Sequence, residues 1–289
     1  MSPFFRAFMT AAGVAALPMI AMADGAPTPG IDTSLSRTAT IPTGSMPPGS
    51  EMWALWIALP AGRKVEGKEP KVTSKWMDLE MGLTGSTVSA PVSGTFPENQ
   101  CLVLGARGQV NLTGEETTTG PGEGFACQFS AGVPYWEENR GNDLYSRAQL
   151  NVGGPWVPGM YDTVDAYRGA GGDTRALRVD PISFRKVEAE LRAAGMMTAT
   201  TRVVTMAPGS RSVAVDRYPT LRMLTSGELR WGSLPADAAE AAMPKGMFKL
   251  GVFNWIDWTK PQQVVLANES QAPAQFVEWS VAPASGPAP

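Results

Sequence analysis

The stretch of sequence that determines the fold runs from Gly85 to Asn139 and contains two glycine-framed segments. The first segment is GSTVSAPVSGTFPENQCLVLG, residues 85–105, and the second is GFACQFSAGVPYWEEN, residues 124–139. Short runs of β-forming residues lie between glycine and proline turns, here and at 53–59, 109–112 and 145–152. This pattern is typical of an all-β protein.

The spacing within the two segments is more specific than their composition. Five residues follow Gly85, and the next spaced positions are Pro91, Ser93, Glu98 and Gly105. Five residues also follow Gly124, and there the next spaced positions are Ser130, Gly132, Tyr135 and Asn139. These spacings resemble the two motifs of the cupin superfamily, G(X)5HXH(X)3,4E(X)6G and G(X)5PXG(X)2H(X)3N.

The resemblance implies a jelly-roll β-barrel in which the metal ligands of the motifs have been replaced. The chain contains no histidine. Pro91, Ser93 and Tyr135 stand where the motifs have histidine, and only the glutamate, Glu98, is retained. Transition-metal sites depend on imidazole and thiolate, with carboxylate as a helper, so we predict no bound metal and no other cofactor.

The motif positions predict a polar pocket inside this barrel. If they keep the inward direction that alternate residues of a barrel strand share, the pocket is lined by Ser93, Glu98, Gln100, Tyr135 and Glu137. Buried polar groups need hydrogen-bond partners, which a small polar ligand such as a sugar or an organic acid would supply. The alternative is that Glu98 and Tyr135 bond each other inside a scaffold.

Three functions remain open at this level. The first is an exported, metal-free cupin-like protein that binds a small polar molecule or acts as a non-catalytic scaffold. The second is a metal-independent isomerase, epimerase or lyase with Glu98 and Tyr135 as acid and base, since burial raises the pKa of a carboxyl group towards neutrality. The third is a purely structural exported protein.

The second half of the chain repeats the pattern more loosely, and the two halves together suggest a bicupin. Matching Gly209 and Gly227 to the glycines of the first motif puts Val215 and Arg217 at ligand positions, and Val264 takes the ligand position of the second motif. We expect two cupin-like jelly-roll barrels, at 51–160 and 199–282. Arg217 and Arg222 are candidates for an anionic ligand, with a solvated face as the alternative.

A connector at 161–198 is expected to carry one short helix. Asp180 is placed as its N-cap, Pro181 suits its first position, and Gly195 can end it. One face of this helix would present three apolar residues at helical spacing: Phe184, Val187 and Leu191.

The N-terminus resembles a secretory signal peptide, residues 1–23. Arg6 supplies a positive start, an apolar run follows, and residues 21–23 read AMA, a small-residue cleavage site. We expect cleavage near Ala23, a periplasmic or secreted product, and no membrane span after cleavage; an uncleaved anchor is the rival interpretation. Residues 24–50 are expected to be a flexible Pro/Gly/Thr-rich lead-in, and 283–289 a disordered tail.

Charge and cysteine content limit the partners further. The formal net charge is −3, and no Lys/Arg cluster offers a face for nucleic acid. Cupins often pair through their barrel faces, so the resemblance allows a homodimer. The resemblance also makes the strands of Cys101 and Cys127 neighbours, which predicts a disulfide in an oxidising compartment; two buried free thiols are the alternative.

Overall fold

The computed structural model describes residues 28–284 except 47, 69–75, 92–100, 105–109, 112–115, 130–133, 155–166, 168, 170–172, 179–181 and 256–259. The predicted signal peptide, the start of the lead-in and all but the first two residues of the predicted tail therefore lie outside the described residues. The described chain is mostly antiparallel β-structure, as the turn-punctuated sequence predicts. None of its described helices has the length and apolar character that crossing a membrane requires.

The first half of the chain forms two antiparallel sheets. Its strands are β3 (Glu51–Leu59), β4 (Lys64–Lys68), β5 (Trp76–Thr84), β6 (Thr87–Pro91), β7 (Cys101–Leu104), β8 (Val110–Asn111), β9 (Thr117–Thr119), β10 (Gly124–Phe129), β11 (Pro134–Glu138), β12 (Tyr145–Gly153), β13 (Arg175–Arg178) and β14 (Ile182–Ser183). The large sheet has the order β13-β3-β12-β5-β10-β7-β8, with β14 also on β3, and the small sheet has the order β4-β11-β6-β9. This interleaved order is that of a jelly roll.

The second half repeats this topology. It contains β15 (Met196–Met206), β16 (Arg211–Asp216), β17 (Thr220–Ser226), β18 (Arg230–Pro235), β19 (Gly246–Met247), β20 (Phe253–Trp255), β21 (Gln262–Ala267) and β22 (Ala274–Pro283). Its large sheet includes β15-β22-β17-β20 and its small sheet is β16-β21-β18-β19. These orders match β3-β12-β5-β10 and β4-β11-β6-β9 strand for strand, so the predicted two-barrel, all-β arrangement is confirmed.

Two buried asparagines show how closely the barrels correspond. Asn139 donates from Nδ2 to the carbonyls of Leu59 and Asp143, both at 2.8 Å. Asn268 donates in the same way to the carbonyls of Met206 and Ala272, at 2.9 and 2.8 Å. Each side-chain oxygen then accepts from the backbone N–H two residues later. The same turn therefore closes both barrels, and it aligns Asn139 with Asn268.

Two glycines fix the alignment on the other side of each barrel. Gly85 and Gly227 both have positive φ, at 64° and 77°. A Cβ added at Gly85 would lie 2.7 Å from the carbonyl oxygen of Leu144, and one at Gly227 would lie 2.6 Å from that of Pro273. Only glycine fits such an approach in this conformation. The first-motif glycine of the second barrel is therefore Gly227.

This alignment corrects part of the sequence interpretation. Gly209 corresponds to Gly62 in the preceding hairpin, since each donates its N–H to the carbonyl of the closing asparagine. The match of Gly209 to the first-motif glycine was wrong, and Val215 lies on β16 rather than at a ligand position. The positions equivalent to 91, 93 and 135 are Ser233, Pro235 and Val264, so only Val264 was placed correctly.

The two large sheets pack against each other through their outer faces. Their shared core contains alternate residues of β12 and β22: Ala148, Leu150, Val152, Val277, Trp279 and Val281. Because neighbours on a strand point to opposite faces, the intervening residues of both strands face the barrel interiors. The apolar face of each large sheet thus packs against the other barrel, and the opposite face lines the interior of its own barrel.

Two expected boundaries differ in the structure. Residues 31–45, within the expected flexible lead-in, form β1 (Ile31–Asp32), β2 (Ser36–Pro42) and a 3-10 turn (Thr43–Ser45). Both strands pair with β15, so residues 31–32 and 36–42 are part of the second barrel's sheet.

The connector helix, α1 (Glu188–Ala193), begins later than the Asp180–Pro181 start predicted for it. Ile182 and Ser183 pair with β3 first, and Phe184 donates its N–H to Ser50. Strand pairing therefore takes the residues expected in the first helical turn. Phe184, Val187 and Leu191 are still buried together, and Gly195 follows the helix with φ 74°.

Candidate functional site

The interior of the first barrel holds a buried carboxyl group on β11. Glu137 is only 2% exposed, while its neighbours Trp136 and Glu138 are partly exposed. This alternation is what a barrel strand imposes. Glu137 is one of the residues predicted for the pocket, and the structure places it inside the barrel.

A row of polar side chains on β12 faces the same interior. Tyr145, Arg147, Gln149 and Asn151 are each buried, at 1–4% exposure. They occupy the face of β12 opposite to the apolar residues of the inter-barrel core. Four consecutive inward positions of one strand are therefore polar, which is unusual in a barrel that is filled only by its own side chains.

Arg147 connects this row to three other groups. Its Nη2 donates to the Tyr167 hydroxyl at 3.1 Å and lies 3.5 Å from Oε2 of Glu137. Its Nη1 forms an ion pair with Glu80 on β5. The Tyr167 hydroxyl in turn donates to Oε2 of Glu137. One guanidinium thus joins two carboxyl groups and a phenol inside the barrel.

Burial changes the acid–base properties of this cluster. Burial raises the pKa of Glu137 to about 7, although hydrogen bonds from Tyr167, Thr87 and Tyr145 favour its charged form. Burial also raises the pKa of Tyr145 and of Tyr167 well above the ordinary tyrosine value. Near neutral pH the Glu137 carboxyl is therefore partly protonated beside two neutral phenols, and it can either accept or donate a proton.

Two donors of the β12 row have no partner among the described residues. Nε of Arg147 and Nδ2 of Asn151 are buried and make no hydrogen bond there. Oδ1 of Asn151 accepts from Nε2 of Gln149 at 3.2 Å, and in this assignment Nδ2 of Asn151 is the amide group without a partner. Unsatisfied buried donors cost about 1–3 kcal/mol each, so the cluster is suited to oxygen acceptors that the chain does not supply there.

The other predicted pocket residues are placed less completely. Ser93, Glu98 and Gln100 lie outside the described residues. Tyr135 lies on β11 with its Cα opposite Pro91, so two of the positions that hold histidine in the cupin motifs are neighbours across β11 and β6. Their shared placement in the pocket with Ser93, Glu98 and Gln100 stays a prediction.

Sequence reasoning missed Arg147, Tyr167 and Glu80. The signal for Arg147 was present, because Arg147, Gln149 and Asn151 alternate at period two with Ala148, Leu150 and Val152 in a predicted strand. Nothing in the sequence indicates Tyr167, which reaches the site from the connector.

The two cysteines lie on neighbouring strands. Cys101 on β7 and Cys127 on β10 are directly opposite each other in the antiparallel register. Residues opposite each other in such a pair are nearest cross-strand neighbours on one face of the sheet, which is the arrangement that the predicted disulfide requires. The disulfide stays a prediction.

The second barrel gives its two predicted arginines different environments. Arg222 is buried and donates to both carboxylate oxygens of Asp216, at 2.6 and 2.9 Å, and to Glu278 at 2.7 Å. Burial opposes its charge, but the two carboxylates hold the pKa of Arg222 above its ordinary value. Its guanidinium is committed to these carboxylates, which argues against the predicted binding of an anionic ligand by Arg222.

Arg217 does not share a site with Arg222. It is exposed and follows the last residue of β16, which favours the solvated-face interpretation. The described interior beside Arg222 is a cavity of about 20 Å³, lined also by Arg202, Ser212 and Glu278. A space of that volume holds about one water molecule.

The described residues contain no group of three or more cysteine, aspartate, glutamate or histidine side chains arranged to hold a metal ion. Glu137 and Glu80 come together only through Arg147, whose positive charge occupies the space between them.

Comparisons with known proteins concern the fold. No protein-family model matches the sequence, and no curated protein matches it. The structure is similar to the 11S allergen from Cocos nucifera L., with a TM-score of 0.45 and 10% identity over 80% of this chain and 82% of that one. It is also similar to the vicilin from Corylus avellana, with a TM-score of 0.45 and 10% identity over 88% and 82%.

A third similar structure is the Lactobacillus farciminis oxalate decarboxylase formate complex, with a TM-score of 0.44 and 12% identity over 90% of this chain and 88% of that one. All three proteins are bicupins, the class that the sequence motifs resemble. Identities and scores this low give no indication of ligand or activity.

Proposed function

We propose that the first barrel binds a small, oxygen-rich polar molecule, a sugar or an organic acid, and that the second barrel is a closed scaffold. The observation that carries the proposal is the buried polar row on β12, in which Arg147 and Asn151 keep donors without a partner among the described residues. Hydroxyl, carbonyl or carboxylate oxygens of a ligand would accept from them.

The second barrel supports this division by contrast. At the positions of Tyr145, Arg147 and Glu137 it has Ala274, Phe276 and Leu266. These three are buried in an apolar cluster of the second barrel. A ligand pocket needs a few convergent polar groups. The first barrel has polar side chains at these three positions and the second barrel does not, which favours the first barrel as the binding site.

Calorimetry on the full mature protein tests the proposal. Sugars and small hydroxy and dicarboxylic acids are titrated into wild type and into Asn151→Leu, which removes one donor and keeps a similar volume. Binding to wild type with at least a tenfold loss in Asn151→Leu is expected. The matched control is Asn254→Leu, a partly exposed amide on β20 of the second barrel, which should leave affinity unchanged.

Buffer dependence of the heat distinguishes the two ligand classes. A carboxylate bound beside Glu137 raises the proton affinity of Glu137 and draws a proton from the buffer, whereas a neutral sugar draws little. No binding by either class, or equal losses in Asn151→Leu and Asn254→Leu, would refute the proposal.

A second candidate function is acid–base catalysis, with Glu137 and Tyr167 in the roles that the sequence analysis gave to Glu98 and Tyr135. Glu137, with a pKa of about 7, contacts the Tyr167 hydroxyl, and Arg147 can stabilise negative charge that develops on a substrate oxygen. A metal-independent isomerase, epimerase or lyase would use Glu137 to move a proton. Tyr167→Phe and Glu137→Gln would then abolish turnover of a bound ligand while keeping affinity within a few fold.

Export is the remaining part of the proposal. We propose that residues 1–23 are removed and that the protein works in the periplasm or outside the cell, as a monomer or a homodimer. N-terminal sequencing of the protein from the exported fraction should begin near Asp24. A retained N-terminus in a membrane fraction would support the anchor instead.

A further inference from the structure

A surface cleft on the first barrel is separate from the Glu137 cluster. Its volume is about 320 Å³, and its lining includes Trp56, Ala58, Asn142, Leu144, Asp173 and Arg175. Trp56 and Ala58 lie on the outer face of β3, whereas the intervening Ile57 faces the barrel interior. The sheet therefore stands between this cleft and the interior site.

The floor of the cleft offers an apolar surface. Trp56 is only partly buried, although it packs at the margin of the inter-barrel core. Leu144 at the rim is 49% exposed, which makes it one of the most exposed large apolar side chains of the described chain. An indole face beside an exposed leucine is suited to contact with the C–H face of a ring.

The rim offers hydrogen-bonding groups of both kinds. Arg175 lies directly opposite Ala58 in the register of β13 and β3, and Asp173 precedes it by two residues. Both are exposed, and neither forms an ion pair with any described residue. Asp173 can only accept, Arg175 can only donate, and the amide of Asn142 can do both.

We propose that this cleft binds a neutral saccharide unit. The two charges at the rim cancel, so the cleft favours neither an anion nor a cation. Each hydroxyl of a sugar can donate to Asp173 or accept from Arg175, and the ring stacks on Trp56. The volume lies at the lower end of the range for small-ligand pockets, roughly 300–1,000 Å³, so it fits one or two sugar rings.

Glycan-array binding followed by calorimetry with methyl glycosides tests the proposal on the full mature protein. The double variant Asp173→Asn/Arg175→Gln should lose at least tenfold in affinity. Trp56→Phe should lose several fold, because the smaller ring still packs on the core. The matched control is Asp237→Asn/Arg217→Gln, an exposed aspartate and an exposed arginine from the second half, which should bind as wild type does.

The same titrations separate this site from the interior one. Asn151→Leu should leave glycoside binding at the cleft unchanged, and the cleft variants should leave binding inside the barrel unchanged. Absence of glycan binding, or losses in the control variant equal to those in the cleft variant, would overturn the proposal. Cleft-dependent binding of zwitterionic amino acids without any glycan would also overturn it.

Discussion

The two barrels have the same strand order and the same closing turns, but their interiors carry different chemistry. In the first barrel, Arg147 joins Glu80 and Glu137 and still has one unpaired donor among the described residues. In the second barrel, Arg222 and Arg202 are matched with Asp216 and Glu278. One backbone topology therefore supports both an incompletely satisfied polar cluster and a neutralised ion network.

The two clusters occupy equivalent positions in the two barrels. The antiparallel pair β5–β12 and its equivalent β17–β22 share a register irregularity, at Ser146/Arg147 and at Leu224/Ser226. Gln149 pairs with Glu80 in one barrel, and Glu278 pairs with Arg222 in the other. The backbone fixes which positions face inward, and the side chains at those positions decide whether the interior is open to a ligand.

The largest effect is expected when the second barrel's network is broken. Arg222→Met removes one cation and leaves the buried carboxylates of Asp216 and Glu278 with only Arg202 as a counter-charge. This uncompensated negative charge should cost about 3–5 kcal/mol of unfolding free energy. Chemical denaturation measures this, with Arg217→Met as the exposed control. A loss of less than about 1 kcal/mol would contradict the view that this network fills the barrel.

The two closing asparagines should give nearly equal effects. Asn139→Ala and Asn268→Ala each leave one buried and one part-buried carbonyl without their donor, so each should lose about 3 kcal/mol. Denaturation curves of the two single variants provide the measurement. A difference greater than about 1.5 kcal/mol would mean that the two turns do not contribute alike, despite their matching hydrogen bonds.

The predicted disulfide would belong to the first barrel alone. If Cys101 and Cys127 are bonded, reduction or Cys127→Ser should lower stability by roughly 2–3 kcal/mol, because the cross-link limits the unfolded chain. Thiol titration under denaturing conditions, before and after reduction, counts the free cysteines. Two reactive thiols in the unreduced exported protein would show the disulfide prediction to be wrong.

The smallest effect concerns Glu137 and pH. Its pKa is raised from 4.5 to about 7 in the folded protein, so the folded state holds the proton more tightly than the unfolded state. The stabilising contribution is complete below pH 4.5 and is lost as pH rises through 7.

Wild type should therefore lose roughly 2 kcal/mol between pH 5 and pH 8 relative to Glu137→Gln. Thermal or chemical unfolding across this range measures the difference, and Glu138→Gln, at the partly exposed neighbouring position, serves as the control. Parallel pH profiles of stability for wild type and Glu137→Gln would mean that the pKa of Glu137 is not raised in the folded protein.

Local patterns predicted some features because each depends on few residues. Gly85 marks the turn before β6, since its positive φ and close contact with the Leu144 carbonyl admit only glycine. The β-forming run at 145–152 predicts a strand, and the structure has β12 there. In contrast, Ile182 and Ser183 read as helix in sequence, and only pairing with the distant β3 makes them a strand.

The alignment of the second half shows the same limit. Gly209 and Gly227 are both turn glycines in sequence, and choosing between them requires knowing which turn holds the buried asparagine. That turn becomes visible only when Asn139 and Asn268 are seen bonding to equivalent carbonyls. Arg222 likewise resembles an anion-binding residue until Asp216 and Glu278 are found around it.

The sequence by itself determined the all-β class, the two-barrel repeat and the absence of histidine from the motif positions, because spacing, turn glycines and residue identity are local properties. Only the tertiary structure decided which charges meet. Tyr167 reaches Glu137 from the connector, β12 brings Arg147 to Glu80, and β22 brings Glu278 to Arg222. The ionisation and pairing of each group depend on burial and on neighbours far away in the chain, which no local pattern specifies.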